Sequence, residues 1–150
     1  MKIALGMCLA AGLLLAQGSL VEQADQALEA KDYDRAIDLF TKAAAADPKD
    51  YYSEFQLALT FSQLGRDSDA IPHYKAALTR KPDLYEAELN LGLSLARSND
   101  DASAIPYFQA AAKQKPEEFR PVFSLGQALF NREKYVEAEA AFRKAIELNS

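Results

Sequence analysis

The prolines of this sequence recur at a fixed distance. Pro48, Pro82 and Pro116 stand 34 residues apart, and the stretches that lead into the last two, "HYKAALTRKP" and "YFQAAAKQKP", share the same order of residue types. Each runs from an aromatic residue through a short Ala-containing segment to the proline. A fixed period in this range is typical of stacked repeat proteins, so it constrains the fold more than any other feature.

Small and aromatic residues fill fixed columns when the sequence is written in rows of 34. An aromatic column lies four residues after one alanine column and three before another, and residues at these spacings share one face of a helix. A Leu followed by a small residue precedes them in three rows. The columns therefore predict two helices in each row, with small residues opposite large ones so that the helices approach closely. They are Ala36, Ala70, Ala104 and Ala138; Phe40, Tyr74, Phe108 and Phe142; Ala43, Ala77, Ala111 and Ala145; and Leu57-Ala58, Leu91-Gly92 and Leu125-Gly126.

Short polar turns separate the predicted helices. Residues 30–34, 64–68 and 97–101 contain Asp or Ser, which commonly cap helix N-termini, and the recurring prolines end the second helix of each row. Pro72 and Pro106 fall inside that second helix, where a proline removes a backbone hydrogen bond. They predict a late helix start or a mild bend in rows two and three.

The whole pattern resembles the tetratricopeptide repeat. That family's signature is a Leu-Gly pair, a large residue four positions after the Leu, then Ala, an aromatic, Ala and Pro, and the stretch from Leu89 to Pro116 carries nearly all of it. The resemblance covers about residues 19–149 and implies an all-α, right-handed superhelical solenoid of four helix-turn-helix repeats. A four-helix bundle with accidental periodicity is the alternative, and it has to account for several columns at one spacing. The implied repeats are 19–50, 51–84, 85–118 and 119–150.

Two departures from the family pattern stand out. The opening helix of row one is partly degenerate. The frequent Trp of the first helix is absent from every row, and its place is taken by Leu20, Glu54, Glu88 and Val122.

The first eighteen residues have a different composition. Lys2 is followed by an apolar run from Ile3 to Ala16 and then by the small-x-small triplet Ala16-Gln17-Gly18, an arrangement typical of a secretory signal peptide. The apolar run is short for a membrane span. An uncleaved membrane anchor and a buried first helix remain as alternatives. Met before Cys8 and the continued apolar run argue against lipoprotein processing.

Composition argues against several function classes. The net charge is −5 and no block of Lys and Arg stands out, which argues against a nucleic-acid partner. Cys8 is the single cysteine and His73 the single histidine, which we interpret as a surface helix residue. The sequence has no Gly-rich phosphate loop and no context for a catalytic triad. We therefore expect no enzyme activity, no metal and no cofactor.

The first helix of each repeat lines the inner wall in the family that this chain resembles, so the positions left after the core columns are assigned define a candidate groove. The groove is apolar with a polar rim, as expected for binding another protein or a peptide. Phe55, Leu89 and Phe123 occupy one place of the carboxylate clamp that some family members carry, so that clamp is not expected here. The groove positions are Tyr52, Phe55, Leu59 and Gln63 in row two; Glu86, Leu89, Asn90, Leu93 and Arg97 in row three; Arg120, Phe123, Gln127, Phe130 and Asn131 in row four; and Val21, Asp25 and Glu29 in row one.

Together these features indicate an exported, non-enzymatic scaffold that binds a polypeptide in the periplasm or outside the cell. Two alternatives assume the same fold. The chain could be the N-terminal part of a longer exported enzyme, or it could be a membrane-anchored assembly factor. The last row ends without a polar closing helix, so Phe142 and Ile146 are expected to be partly uncovered. This surface is a candidate for self-association or for contact with further chain.

Export predicts a mature N-terminus at or near Ser19, because cleavage follows the small residues at the end of the apolar run. Intact-mass measurement of the protein recovered from the envelope of its native host checks this. Full-length chain in the cytosol would contradict the prediction.

Overall fold

The computed structural model describes residues 18–149, which form eight α-helices and no strand. The predicted signal segment lies outside the described residues, except for Gly18. No helix within 18–149 is long and apolar enough to cross a membrane. The helices are α1 (Leu20–Glu29), α2 (Tyr33–Ala46), α3 (Tyr51–Gln63), α4 (Asp67–Arg80), α5 (Tyr85–Arg97), α6 (Asp101–Gln114), α7 (Phe119–Asn131) and α8 (Tyr135–Leu148).

The chain divides into two compact units, Met1–Pro48 and Lys49–Ser150. In the first unit α1 packs against α2. In the second unit three helix pairs follow one another, α3 with α4, α5 with α6 and α7 with α8. The second helix of one pair also packs against the first helix of the next, so repeats two to four form a continuous stack. The predicted helix pairs are therefore confirmed.

The aromatic column lies at the centre of each pair. Tyr74 and Phe108 are almost completely buried, and each comes from the second helix of its repeat. A Cβ atom added to Gly92 would lie only 2.6 Å from Cε1 of Phe108, and one added to Gly126 only 2.8 Å from Cδ1 of Phe142. The glycines of the first helices therefore allow a ring to sit against the helix backbone, as their sequence positions predicted.

A left-handed residue ends the first helix of every repeat. Lys31, Gly65, Asn99 and Glu133 have φ between 58° and 72°, and they follow one another at the 34-residue period. The next residue closes a Schellman motif, as where the Lys134 amide donates to the Leu129 carbonyl at 2.9 Å. Only one of the four is glycine, which is why residue type alone does not reveal this column.

Acidic residues cap several of the helices. The carboxylates of Asp32, Asp50 and Asp100 each accept a hydrogen bond from a backbone amide of the first turn, which satisfies one otherwise unpaired donor. Glu118, at the corresponding place before α7, makes no such bond. Ser19 forms a capping box with Glu22 at the start of α1.

The two prolines inside second helices do not delay the helix start. Pro72 lies within α4, which begins five residues earlier at Asp67, and Pro106 lies within α6, which begins at Asp101. Of the two predicted consequences, a late helix start is therefore wrong, and a mild bend stays a prediction. The recurring prolines lie just beyond the second helices, as predicted, with Pro82 two residues after the end of α4.

Glycine in place of Glu133, the left-handed residue between α7 and α8, should stabilise the fold. Glu133→Gly removes the Cβ that disfavours a φ of 59°, so we expect the free energy of unfolding to rise by about 1 kcal/mol. Gly65→Ala is the matched reverse change, because no atom lies within 4 Å of the added Cβ and only the backbone conformation is affected. Urea unfolding of both variants measures the effect, and shifts of the same sign would contradict it.

Candidate functional site

A pocket of about 570 Å³ lies between repeats three and four. Five residues predicted for the groove line it: Leu93, Arg97, Gln127, Phe130 and Asn131. They come from the first helices of two successive repeats, α5 and α7, which the stack brings side by side. The other lining residues are Ala96, Asp101, Phe108, Ser124, Ala128 and Phe142.

One polar side of the pocket is an ion pair between repeats. Arg97 Nε donates to Asp67 Oδ2 at 2.8 Å and its Nη2 to Asp67 Oδ1 at 2.5 Å, so the guanidinium binds the carboxylate with both arms. Its Nη2 also donates to Ser94 Oγ at 3.1 Å. The hydrogen bond from Arg97 is the main cause that lowers the pKa of Asp67, and the same bond raises the pKa of Arg97. Both groups are therefore charged and matched at neutral pH.

The same positions one repeat later hold a different pair. Asp101 follows Asp67 by 34 residues, and Asn131 follows Arg97 by 34 residues. Asn131 Nδ2 donates to Asp101 Oδ2 at 3.0 Å. An amide satisfies one acceptor of the carboxylate but brings no positive charge. The pocket thus contains one carboxylate whose partner from the next repeat is neutral.

Aromatic rings form the apolar side. Phe130 is 56% exposed, although it packs edge-on against Tyr135 with the ring centroids 5.4 Å apart. Phe142 is half-buried, and Phe108, which is 1% exposed, belongs to the repeat core. An exposed aromatic beside charged and amide groups is the composition that commonly anchors an interface.

The other predicted groove residues do not line this pocket. Phe55 is half-buried against Tyr74, with ring centroids 6.0 Å apart, and Phe123, 42% exposed, lies against Phe142 at 5.6 Å. Leu89 is only 6% exposed, whereas a groove residue was expected to keep contact with solvent, so that expectation is wrong for this position. Its side chain is part of the packed interior of the stack. The remaining residues outside the pocket lining are Tyr52, Leu59, Gln63, Glu86, Asn90 and Arg120 in the second unit, and Val21, Asp25 and Glu29 in the first.

Sequence reasoning missed a polar cluster between α3 and α4. His73 Nδ1 lies 2.6 Å from Glu54 Oε2, and Arg80 Nη2 lies 2.8 Å from Glu54 Oε1, while Glu54 itself is 8% exposed. The His73 ring also stacks on Phe61. The His73 side chain keeps 33% of its surface exposed, so it stays at the surface as interpreted, but one ring face and one nitrogen are engaged in contacts that the sequence did not predict. The sequence did contain a signal for this cluster. Glu54 stands in a column that holds the apolar residues Leu20 and Val122 in other rows.

Glu88 is the second buried carboxylate in that column. It is 8% exposed and accepts a hydrogen bond from the side-chain amide of Gln114. Burial is the main cause that raises its pKa, with a further contribution from the negative charge of Asp83, and the bond from Gln114 acts in the opposite direction. Within residues 18–149, no group of His, Cys, Asp and Glu has the arrangement of a metal site.

Comparison with known proteins identifies a family and solved structures of similar fold. The model of the tetratricopeptide repeat matches residues 21–85, 55–119 and 89–150. Among solved structures, MamA (AMB-1) superposes with a TM-score of 0.83 at 22% identity, over 87% of this chain and 71% of that chain. MamA 41-end from Desulfovibrio magneticus RS-1 gives 0.77 at 22% identity, over 87% and 73%. At this identity the likeness shows the fold alone. A search of curated proteins found no match.

Removing the charge of Glu88 should stabilise the protein at neutral pH. Its folded-state pKa lies above the ordinary value of 4.5, so the charged form is the one that folding disfavours, and stability rises as pH falls through the folded pKa. We expect Glu88→Gln to raise the thermal midpoint at pH 7, and this gain to shrink toward pH 4.5, where the native carboxyl is itself becoming neutral. Glu86→Gln on the same helix is the control, because Glu86 is exposed. Equal gains for the two variants at every pH would contradict the prediction.

Proposed function

The chain belongs to the tetratricopeptide repeat family, and from this premise we propose that it is an exported, non-enzymatic scaffold that binds a polypeptide segment in the pocket between repeats three and four. One observation carries the proposal. Five residues that the family resemblance assigned to the groove line one pocket, and they combine an exposed aromatic ring with charged and amide groups.

The size and lining of the pocket favour a peptide. About 570 Å³ is within the range of pockets that hold small molecules or a few side chains. Leu93, Ala96 and Phe130 offer apolar contacts, while Gln127 and Asn131 offer amide groups that can pair with the backbone of an extended segment. The Arg97 guanidinium is held by Asp67 and so presents a fixed shape rather than a mobile chain.

Export is the part of the proposal that rests on sequence alone. The charge of Lys2, the apolar run and the small residues before Ser19 support passage through a secretion pathway. A scaffold in the periplasm or outside the cell would then meet its partner after export. An uncleaved segment would instead hold the repeats at the membrane surface.

Self-association is a second candidate, favoured by apolar exposure on the last repeat. Val136 is 80% exposed and Ile146 is 69% exposed, although both lie on the helix that packs beside α7. Exposed apolar residues of this kind are typical of contact surfaces. Sedimentation of the full chain and of Val136→Ser tests this: a native oligomer that the variant weakens supports it, and a native monomer contradicts it.

Loss of the exposed ring should weaken partner binding while leaving the fold intact. We expect Phe130→Ser to reduce recovery of the partner about tenfold or more, because aromatic residues at the centre of an interface commonly contribute about 2 kcal/mol or more. Phe119→Ser is the matched control, since Phe119 lies on the same helix, is 41% exposed and does not line the pocket. Pulldowns from the native host with the native chain and both variants, quantified by mass spectrometry, provide the measurement.

Thermal midpoints of the two variants separate a binding defect from a folding defect. Both should stay close to that of the native chain, since both rings are substantially exposed. Equal recovery of every co-purified protein by native chain and Phe130→Ser would overturn the proposed pocket.

A further inference from the structure

The charges of the pocket are not balanced. The Asp67 carboxylate is matched by the two-armed contact from Arg97, whereas the Asp101 carboxylate receives a hydrogen bond only from the neutral amide of Asn131 among the pocket residues. Arg97 and Asp101 are the charged residues of the lining. With Asp67 included, the site carries one net negative charge.

This charge stands beside aromatic rings. Phe130 and Phe142 line the same pocket as Asp101, and Phe130 is 56% exposed. A cation is attracted both by a carboxylate and by the face of an aromatic ring. The methylene groups of a Lys or Arg side chain also pack well on apolar surfaces such as Leu93.

The protein already uses this combination internally. Lys115 Nζ lies 4.0 Å from the ring centroid of Tyr85 and 3.5 Å from Glu86 Oε1. One ammonium group thus contacts a ring and a carboxylate at once. In the pocket Phe130 supplies the ring and Asp101 the carboxylate, and the lining residues include no Lys that could supply the ammonium group.

We propose that the pocket selects a partner segment by one basic side chain, lysine or arginine, whose stem lies on Leu93 and Phe130 and whose charged end pairs with Asp101. The inference rests on the proposed function, since it specifies the chemistry of the polypeptide that the pocket binds. A basic segment also suits the net charge of −5 of the chain, which attracts it at long range.

A random peptide library displayed on phage, selected on the full 150-residue chain, provides the first test. The same library is selected on Asp101→Asn and on Asp100→Asn. Asp100 is the matched control: the change removes the same charge one residue away and outside the pocket lining, and Asn retains the ability to cap α6. We expect Lys or Arg at one fixed position of the peptides enriched by the native chain and by Asp100→Asn, and a clearly weaker preference with Asp101→Asn.

An affinity cycle gives the second test. One enriched peptide is synthesised with its basic residue and with norleucine in that place, and both are titrated against the native chain and against Asp101→Asn. The norleucine peptide should bind the native chain about fivefold more weakly, and this difference should be much smaller with Asp101→Asn, which keeps the aromatic rings but loses the carboxylate. The fivefold difference should shrink at high salt, because screening weakens a partly exposed ion pair.

The outcomes distinguish this inference from the proposed function. Peptides that bind the native chain in a Phe130-dependent way, but without a basic preference, would overturn the inference and leave the proposed function standing. A preference for acidic residues would show that Arg97, not Asp101, selects the partner, and would also overturn it. A library that yields no binding peptide would contradict both.

Discussion

Contact between one aromatic ring and one glycine holds repeats three and four together. The ring comes from the second helix and meets Gly92 or Gly126 on the first, where an added Cβ would lie within 3 Å of it. Because these glycines have no side chain, the two helices approach closely, and the flanking alanines are buried with them. The spacing of the helices, and hence the position of every residue on their other faces, depends on this contact.

The pocket is a consequence of the same contact. Phe108 and Phe142, the rings that hold repeats three and four, also line the pocket. The groove residues of α5 and α7 are then brought together because these helices lie side by side in the stack. A change that loosened the core of a repeat would therefore alter the shape of the binding surface as well as the stability.

Much of this was predictable from sequence, for identifiable reasons. The prolines and the Ala and aromatic columns give the helix pairs, because a repeated contact leaves a repeated pattern. The burial of Leu89 was not predictable, because only the packing of neighbouring helices decides how far a side chain at a groove position is covered. The pairing of Glu54 with His73 depends on the angle between two helices, which spacing along the chain does not specify. The left-handed turn at Glu133 was hidden because the Schellman hydrogen bonds maintain it without glycine.

The hydrogen bonds between successive repeats give the rows an order. Rows two and three each begin their second helix with an Asp that contacts the next row, Asp67 with Arg97 and Asp101 with Asn131, whereas row four has Tyr135 in that place. Duplicating row two or row three would reproduce a carboxylate for the following row. A copy of row three placed after row four would set its arginine opposite a tyrosine, with no carboxylate to receive it. The repeats are alike in their cores but are not interchangeable, because the polar residues between them match only particular neighbours.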